Sequence, residues 1–296
     1  MKTKLLNNGT PQILYDIDNS CVDLYDNFTN LIFKDIQEYY DEMTLIPQWV
    51  YQTGIDSDSA ASKDMFNNWV KEITDEKYYK HLFLADCHNL IGSVQNRLLS
   101  TITQVQIFFR SLENLKPIVL EKDGCYWTSG ENIVPVFSVL HDLIITMYAS
   151  LDLLAKLSFQ FENMPNDYSK YRKMQCKKIL FGNKLKIQKI NFTGTVFENS
   201  KTIKTIENLR HELIHNGTWE SVPKVHYKIE AKEVVEKFIF MPDFLESGTL
   251  EVAINRKRFF SSNQKINEKL PDLCSEFWER VLTTLNRLRE FDYKAI

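Results

Sequence analysis

A long run of apolar residues at helical spacing constrains this chain more than any other feature. Its members are Leu84, Cys87, Ile91, Val94, Leu98, Ile102, Val105, Phe109, Leu112 and Leu115. Residues three or four apart share one face of an α-helix, so the pattern predicts a helix over Tyr78–Lys116, ended by Pro117. At 1.5 Å per residue this helix is roughly 55–60 Å long, which is enough for the spine of a helical bundle.

The scarcity of chain breakers favours further long helices. Only 9 glycines and 8 prolines interrupt the 296 residues. A second long helix is predicted from about Asn132 to Phe161, where Asn132 can cap and Pro135 suits the first turn. Shorter helices are predicted at Asp18–Tyr40, Lys63–Lys71, Asp167–Phe181, Ser200–His215 and Asp272–Phe291.

The hydrophobic period changes to two after Trp219, which indicates strands. Strands are predicted at residues 225–229, 237–241 and 250–260, and residues 121–130 are predicted to form a loop or small hairpin. The predicted fold is mainly α, a bundle of long helices with a small antiparallel β insertion at about 222–262, before the C-terminal helix. The predicted organisation is an N-terminal helical region of unknown role, 1–76, followed by a helical domain, 77–296.

Composition and charge narrow the functional classes. A formal net charge of −3 and a pI of about 6.1 exclude a generally basic nucleic-acid binder. Five cysteines without a CxxC pair, and an N-terminus without an apolar signal segment, predict unpaired thiols in a reducing cytoplasm. The longest apolar stretch, 143–157, contains Asp152 and Lys156, so we expect it not to cross a membrane.

Residues 207–219, ENLRHELIHNGTW, combine two of the six histidines with other reactive groups. One interpretation is H-E-x-x-H, in which His211 and His215 ligate zinc and Glu212 polarises a water molecule. That interpretation predicts a zinc peptidase. Its context is poor, because such peptidases resemble one another in having an uncharged residue where Arg210 stands.

The second interpretation begins at the arginine. Leu209-Arg210-His211-Glu212-Leu213-Ile214-His215-Asn216 resembles the R-x4–6-H motif of the HEPN superfamily: a hydrophobic residue, Arg, a polar residue, apolar filler and His. The resemblance covers about Tyr78–Phe291, and it implies a HEPN-like bundle of long helices with the strands as an insertion.

This resemblance implies a metal-independent endoribonuclease that leaves a 2′,3′-cyclic phosphate and needs no cofactor. His215 is the expected acid–base residue, Arg210 the phosphate ligand, and His211 an orienting or assisting group. It also implies RNA as substrate, a homodimer with the motif at its interface, and a toxin or antiphage defence role with a regulatory or antitoxin partner. The alternative within the family is a non-catalytic module that binds RNA or nucleotides, or acts as a scaffold.

The spacing of the motif sets a geometric condition. Residues five apart on a regular helix point roughly 140° apart, so Arg210 and His215 do not share a face. They converge either where the helix unwinds at Asn216-Gly217 or across a two-fold axis with a second protomer. In the alternative, both residues have only structural roles: Arg210 forms a surface ion pair, and His215 caps the last carbonyls of its helix.

A basic stretch precedes the motif. Residues 168–197 contain no Asp or Glu and eight Lys or Arg, which indicates a phosphate-binding surface. The RNA ligands expected there are Lys173, Lys177, Lys178, Lys184 and Lys186, with Tyr168, Tyr171, Phe181 and Phe192 available to stack on unpaired bases. The alternative is a solvated face whose aromatic residues point into the core. A second cluster, 256–258, is interpreted as charge protecting an edge strand.

Overall fold

The computed structural model describes residues 10–116 and 122–291. Within them the chain is mainly helical, with one three-stranded antiparallel sheet, as the fold class predicted. Pro117, the predicted end of the spine helix, and residues 1–9, where no signal segment is predicted, lie outside the described residues. The helices are α1 (Thr10–Ile32), α2 (Ile36–Met43), α3 (Gln48–Gln52), α4 (Lys63–Glu72), α5 (Glu76–Asn114), α6 (Val134–Glu162), α7 (Lys201–Asn216) and α8 (Ile266–Arg289).

The long periodic patterns give the helices that the sequence predicts. The apolar residues of α5 and α6 at steps of three and four are largely buried, because a stripe on one helix face must leave water to stabilise the fold. The predicted helix Asp18–Tyr40 is instead two helices, α1 and α2. Asp35 begins the second one, since its carboxylate accepts from the backbone N–H of Glu38 at 2.9 Å.

The predicted helix at Asp167–Phe181 is wrong. Residues 163–200 form loops with two short 3₁₀ segments, at 175–178 and 181–186. Side chains of α6 take up the backbone donors there: Asp152 accepts from the N–H of Phe181 at 2.7 Å, and Gln160 accepts from that of Gln175 at 2.9 Å. These acceptors replace the bonds that an α-helix would make.

Glu162 accepts three backbone hydrogen bonds from the same loop. Its buried carboxylate accepts from the backbone N–H groups of Gln188, Lys189 and Ile190 at 2.8, 2.7 and 3.0 Å. Charge-assisted bonds of this kind are stronger than neutral ones, so Glu162 fixes the end of the basic stretch onto α6.

We therefore expect Glu162→Ala to lower the free energy of unfolding by about 1–3 kcal/mol, because a buried ionic acceptor is lost and its donors are left unpaired. Urea denaturation measures the loss, and amide hydrogen exchange at residues 188–190 locates it. Asp167→Ala removes an exposed carboxylate nearby and serves as the control. An equal loss in both variants would contradict the anchoring role.

The sheet has the order β1-β2-β3, with β1 at Gly124–Thr128, β2 at Val225–Glu230 and β3 at Glu233–Phe238. Strand β2 confirms the prediction, and β3 lies a few residues before the predicted 237–241. The predicted strand at 250–260 is wrong, since only isolated bridges occur there. Strand β1, predicted as loop or hairpin, pairs with β2 from outside the expected insertion, with Tyr126 opposite Tyr227.

The chain divides into two compact units. Among the described residues, the first unit contains 10–14, 97–116, 122–150 and 196–281, and the second contains 15–96, 151–195 and 282–291, so each of α1, α5, α6 and α8 contributes to both. The predicted boundary after residue 76 lies inside the second unit. The motif helix α7 belongs to the first unit, whereas most of the basic stretch belongs to the second.

Among the described residues, one helical segment, Glu131–Glu162, has the length and hydropathy of a membrane span. The apolar stretch 143–157, which we expected not to cross a membrane because it contains Asp152 and Lys156, lies inside this segment. Half of the segment's most apolar window is buried within the protein, and Leu140, Leu143 and Ile144 are fully enclosed. Core helices of soluble proteins have these same properties.

Contacts within the first unit fix the start of the motif helix. Ser200 caps α7 by accepting from the N–H of Ile203 at 3.2 Å, and Thr202 donates to Glu276 of α8 at 2.5 Å. Gly248 lies against the first turn at φ +84°, where an added Cβ would collide with the carbonyl oxygen of Lys201. Only glycine is compatible with this close approach, so the loop at Gly248 fixes the start of α7.

Candidate functional site

The three predicted catalytic side chains lie on the last two turns of α7. His211 and His215 are exposed, and Arg210 is half-buried. The imidazole rings of His211 and His215, four residues apart, have their centroids 4.4 Å apart. Ile214, which is 48% exposed, lies beside them. The end of the helix therefore presents two histidines, an arginine and an apolar side chain on one solvent-facing surface, which we call the motif surface (Arg210, His211, Ile214 and His215).

Arg210 is positioned by an aromatic ring of the preceding long helix. Its guanidinium carbon lies 4.9 Å from the ring centroid of Tyr148 on α6. A cation at this distance is attracted by the π-face of the ring, and the contact leaves the N–H donors at the guanidinium edge able to bind a phosphate. The sequence alone does not predict this contact, because nothing in the sequence of α6 distinguishes Tyr148 from its neighbours.

The helix stays regular through the motif. It ends at Asn216, and Gly217, with φ +75°, caps it by donating its N–H to the carbonyl of Leu213 at 3.1 Å. The helix therefore does not unwind near its end, and Arg210 and His215 do not converge in that way. Ile214 and His211 lie between the two on the helix surface, within an arc of roughly 140°. Within one chain, Arg210 and His215 therefore project from opposite edges of this arc.

Glu212, between the two histidines in sequence, points the other way and is buried at 1% exposure. Its Oε2 accepts from Nε of Arg258 and from the side-chain amide of Asn216, both at 3.0 Å. Nζ of Lys257 lies 2.5 Å from Oε1, a close ion pair whose orientation is poor for a hydrogen bond. The carboxylate is therefore a structural anchor that ties the end of α7 to residues 257–258.

This arrangement corrects the interpretation of the cluster at 256–258. Those residues do not end a strand, and two of them neutralise a buried carboxylate instead of protecting a sheet edge. A buried carboxylate needs paired cations because its desolvation is costly. No local sequence pattern pairs this cluster with Glu212, because 46 positions separate Arg258 from Glu212.

The same arrangement argues against the zinc peptidase. Glu212 is the residue that would polarise the metal-bound water, and it is held by Lys257 and Arg258 away from the histidine face. In the described part of the chain, no group of three His, Cys, Asp or Glu side chains has the geometry of a metal site. His226, a potential third ligand, stacks on Phe238 with ring centroids 5.3 Å apart.

The predicted RNA ligands lie in the second unit. The side chains of Lys173, Lys177, Lys178 and Lys186 are exposed, as a phosphate-binding role requires. Lys184 is half-buried, and its ammonium lies 4.7 Å from the ring centroid of Phe181. Four of the five predicted lysines are therefore accessible to a polyanion.

Two of the four aromatic residues expected to stack on bases, Tyr168 and Phe181, are buried. Tyr168 and Phe181 are 5% and 0% exposed, and Tyr171 and Phe192 are half-buried. Tyr168 packs edge-on against Phe83 of α5, with ring centroids 5.6 Å apart. The expectation of interleaved stacking is wrong for Tyr168 and Phe181, because their apolar rings stabilise the loop by burial.

No protein-family model, curated protein or solved structure matches this chain.

Proposed function

We propose that this chain is a metal-independent endoribonuclease of the HEPN type. The observation that supports it most is the motif surface itself: an arginine and two histidines at an exposed helix end, with the intervening glutamate removed into a buried ion pair. Such a surface offers a fixed cation and two titratable bases to a phosphodiester and needs no metal ligand.

The proposed reaction is an internal transesterification. His215 takes the proton of the ribose 2′-hydroxyl, and the oxygen attacks the adjacent phosphorus. The bond to the 5′-oxygen of the next nucleotide breaks, and His211 returns a proton to that leaving oxygen. Arg210 offsets the charge that develops on the phosphorane oxygens. The products are a 2′,3′-cyclic phosphate and a 5′-hydroxyl.

A homodimer follows from the geometry within this proposal. Arg210 and His215 diverge on a convex helix surface, so one phosphate contacts both only if a second protomer supplies one of them. Exposed Ile214 lies between them and can pack against its counterpart at a two-fold axis. We place the composite site at this interface, in a cytoplasmic toxin or antiphage effector controlled by a regulatory or antitoxin partner.

The direct test is cleavage of a mixed pool of structured and unstructured RNA in EDTA. We expect cleavage to continue in the presence of the chelator and to leave 2′,3′-cyclic phosphate ends. Such ends are identified by their resistance to both periodate and phosphatase. Cleavage that requires a divalent metal, or that leaves 3′-hydroxyl ends, would overturn the proposal.

A non-catalytic RNA-binding module is the second candidate. It is favoured by the divergence of Arg210 and His215 within one chain, together with the exposed lysines of the second unit. RNA binding without cleavage, in a protein shown to be dimeric, would select it over the nuclease.

Both candidates predict the same effect of the exposed lysines. We expect the double variant Lys178→Ala/Lys186→Ala to weaken RNA binding and to lower the slope of log K against log salt by about 1.4, since each phosphate contact to a single strand contributes about 0.7. Fluorescence anisotropy over a salt series measures both effects. Lys71→Ala/Lys269→Ala removes two exposed lysines elsewhere and keeps the net charge matched. An identical slope in the two double variants would contradict the assignment.

A further inference from the structure

A cavity of about 350 Å³ lies within the second unit, among α3, α4, α5 and the loop that follows α6. Its walls include the side chains of Tyr51, Phe66, Leu82 and Tyr171, which also pack on a small apolar cluster around Val50. Pockets of this size, with apolar and aromatic walls and few polar groups, are typical of sites for small ligands. The N-terminal region that had no assigned role supplies most of this wall.

One carboxylate lines the cavity. Asp86 on α5 is half-buried, and in residues 10–116 and 122–291 no hydrogen bond or ion pair engages it. Burial raises the pKa of Asp86, and the charge of Lys177 acts in the opposite direction. Tyr171 lines the same cavity, and the charge of Asp86 adds to the effect of burial in raising the pKa of its phenol. Asp86 is thus a partly desolvated acceptor with aromatic neighbours, and a ligand with N–H donors satisfies it.

The cavity also has positive charge at its edge. Lys63, the first residue of α4, lines the cavity with an exposed side chain. An acceptor within aromatic walls and an ammonium group at the rim match a ligand that has a planar donor edge at one end and an anionic group at the other. A simple organic cation fits worse, since Lys63 repels it.

We propose that this cavity binds guanine nucleotides, with the base between the aromatic side chains and its N1–H and N2 amino group donating to Asp86. Among the common bases, only guanine presents two adjacent donors on its Watson–Crick edge, which a carboxylate accepts in bidentate fashion. Adenine and cytosine present a ring acceptor there, and uracil a single donor between two carbonyls. Lys63 takes the phosphate. The base belongs either to a free guanine nucleotide or to a guanosine of an RNA strand.

Isothermal titration calorimetry of the full chain with GMP and AMP tests the assignment. We expect GMP to bind about tenfold or more tightly than AMP, since one bidentate pair discriminates bases by about that factor. Asp86→Asn keeps the shape of the side chain and is expected to abolish this preference. Asp58→Asn, at an exposed carboxylate in the preceding loop, is expected to keep it. Equal affinity for GMP and AMP, no binding of GMP, or an unchanged preference in Asp86→Asn would each overturn the proposal.

A second variant tests the rim. Lys63→Ala changes an exposed side chain, so we expect the fold to persist. GMP affinity should fall severalfold while guanosine affinity stays the same. Loss of affinity for both ligands, or for neither, would contradict the phosphate role of Lys63.

Two further arms identify the source of the base. Cleavage-resistant 2′-O-methyl UUGUU binding more tightly than both 2′-O-methyl UUAUU and GMP assigns the site to RNA. GMP binding more tightly than both oligomers assigns it to a free nucleotide, and both results support a guanine site. These measurements do not depend on ribonuclease activity, so an inactive protein that prefers GMP still supports this inference.

Discussion

Replacing His215 with alanine is expected to slow RNA cleavage by about 100- to 10,000-fold, the usual contribution of a general base. The imidazole is exposed at the end of α7, and its removal deletes no buried group, so the fold should persist. Cleavage rates of a fluorescent RNA under single-turnover conditions, in EDTA, measure the effect. The expected loss is confined to the chemical step, and RNA affinity should stay within a few-fold of wild type.

The matched control is His226→Phe, which alters a histidine outside the motif surface. That side chain stacks on Phe238, and an aromatic replacement keeps the stack. We expect its cleavage rate to remain close to wild type. A His215→Ala protein that is folded and cleaves at the wild-type rate would show that another group takes the 2′-hydroxyl proton.

The second large effect concerns stability. Glu212→Ala is expected to lower the free energy of unfolding by about 2–4 kcal/mol, because Arg258 and Lys257 then lose the carboxylate that pairs them. The lower part of that range is expected if water reaches the two cations, whose side chains are 28% and 41% exposed. Urea denaturation measures the change. The cleavage rate per folded molecule should change little, since Glu212 does not lie on the motif surface.

Glu230→Ala is the control for this prediction. Glu230 pairs with Lys228 at 2.7 Å, but both side chains are more than half exposed, so the loss should be about 0–1 kcal/mol. Similar losses in the two variants would contradict the buried anchor. Stoichiometric zinc that is released on His211→Ala would instead restore the peptidase interpretation.

The sequence predicts the long helices well, because their apolar period repeats over many turns. It fails where side chains distant in sequence take over the backbone. Residues 167–181 have a helical pattern, yet Asp152 and Gln160 on α6 bond their N–H groups and hold them as a loop. Strand β1 is missed for another reason: most of its side chains are exposed, so no alternation of buried and exposed residues signals it.

The candidate site likewise has one part that the sequence predicts and another that depends on tertiary packing. Local sequence places His211 and His215 on one helix, and i,i+4 spacing brings their rings together as expected. The partner of Arg210 is Tyr148, 62 positions away in the chain. One partner of Glu212 is Arg258, 46 positions away. No local pattern encodes such pairs, because they depend on how the helices pack.

The composite site at a dimer interface is the central claim, and mixed dimers test it most directly. Arg210→Ala and His215→Ala chains with different affinity tags are coexpressed, and the heterodimer is purified through both tags. Each homodimer lacks one catalytic group at both sites, whereas the heterodimer has one site with Arg210 from one protomer and His215 from its partner. We expect the heterodimer to cleave RNA at about half the wild-type rate and both homodimers to be inactive. An inactive heterodimer, or a monomeric wild-type protein that cleaves at full rate, would contradict the claim.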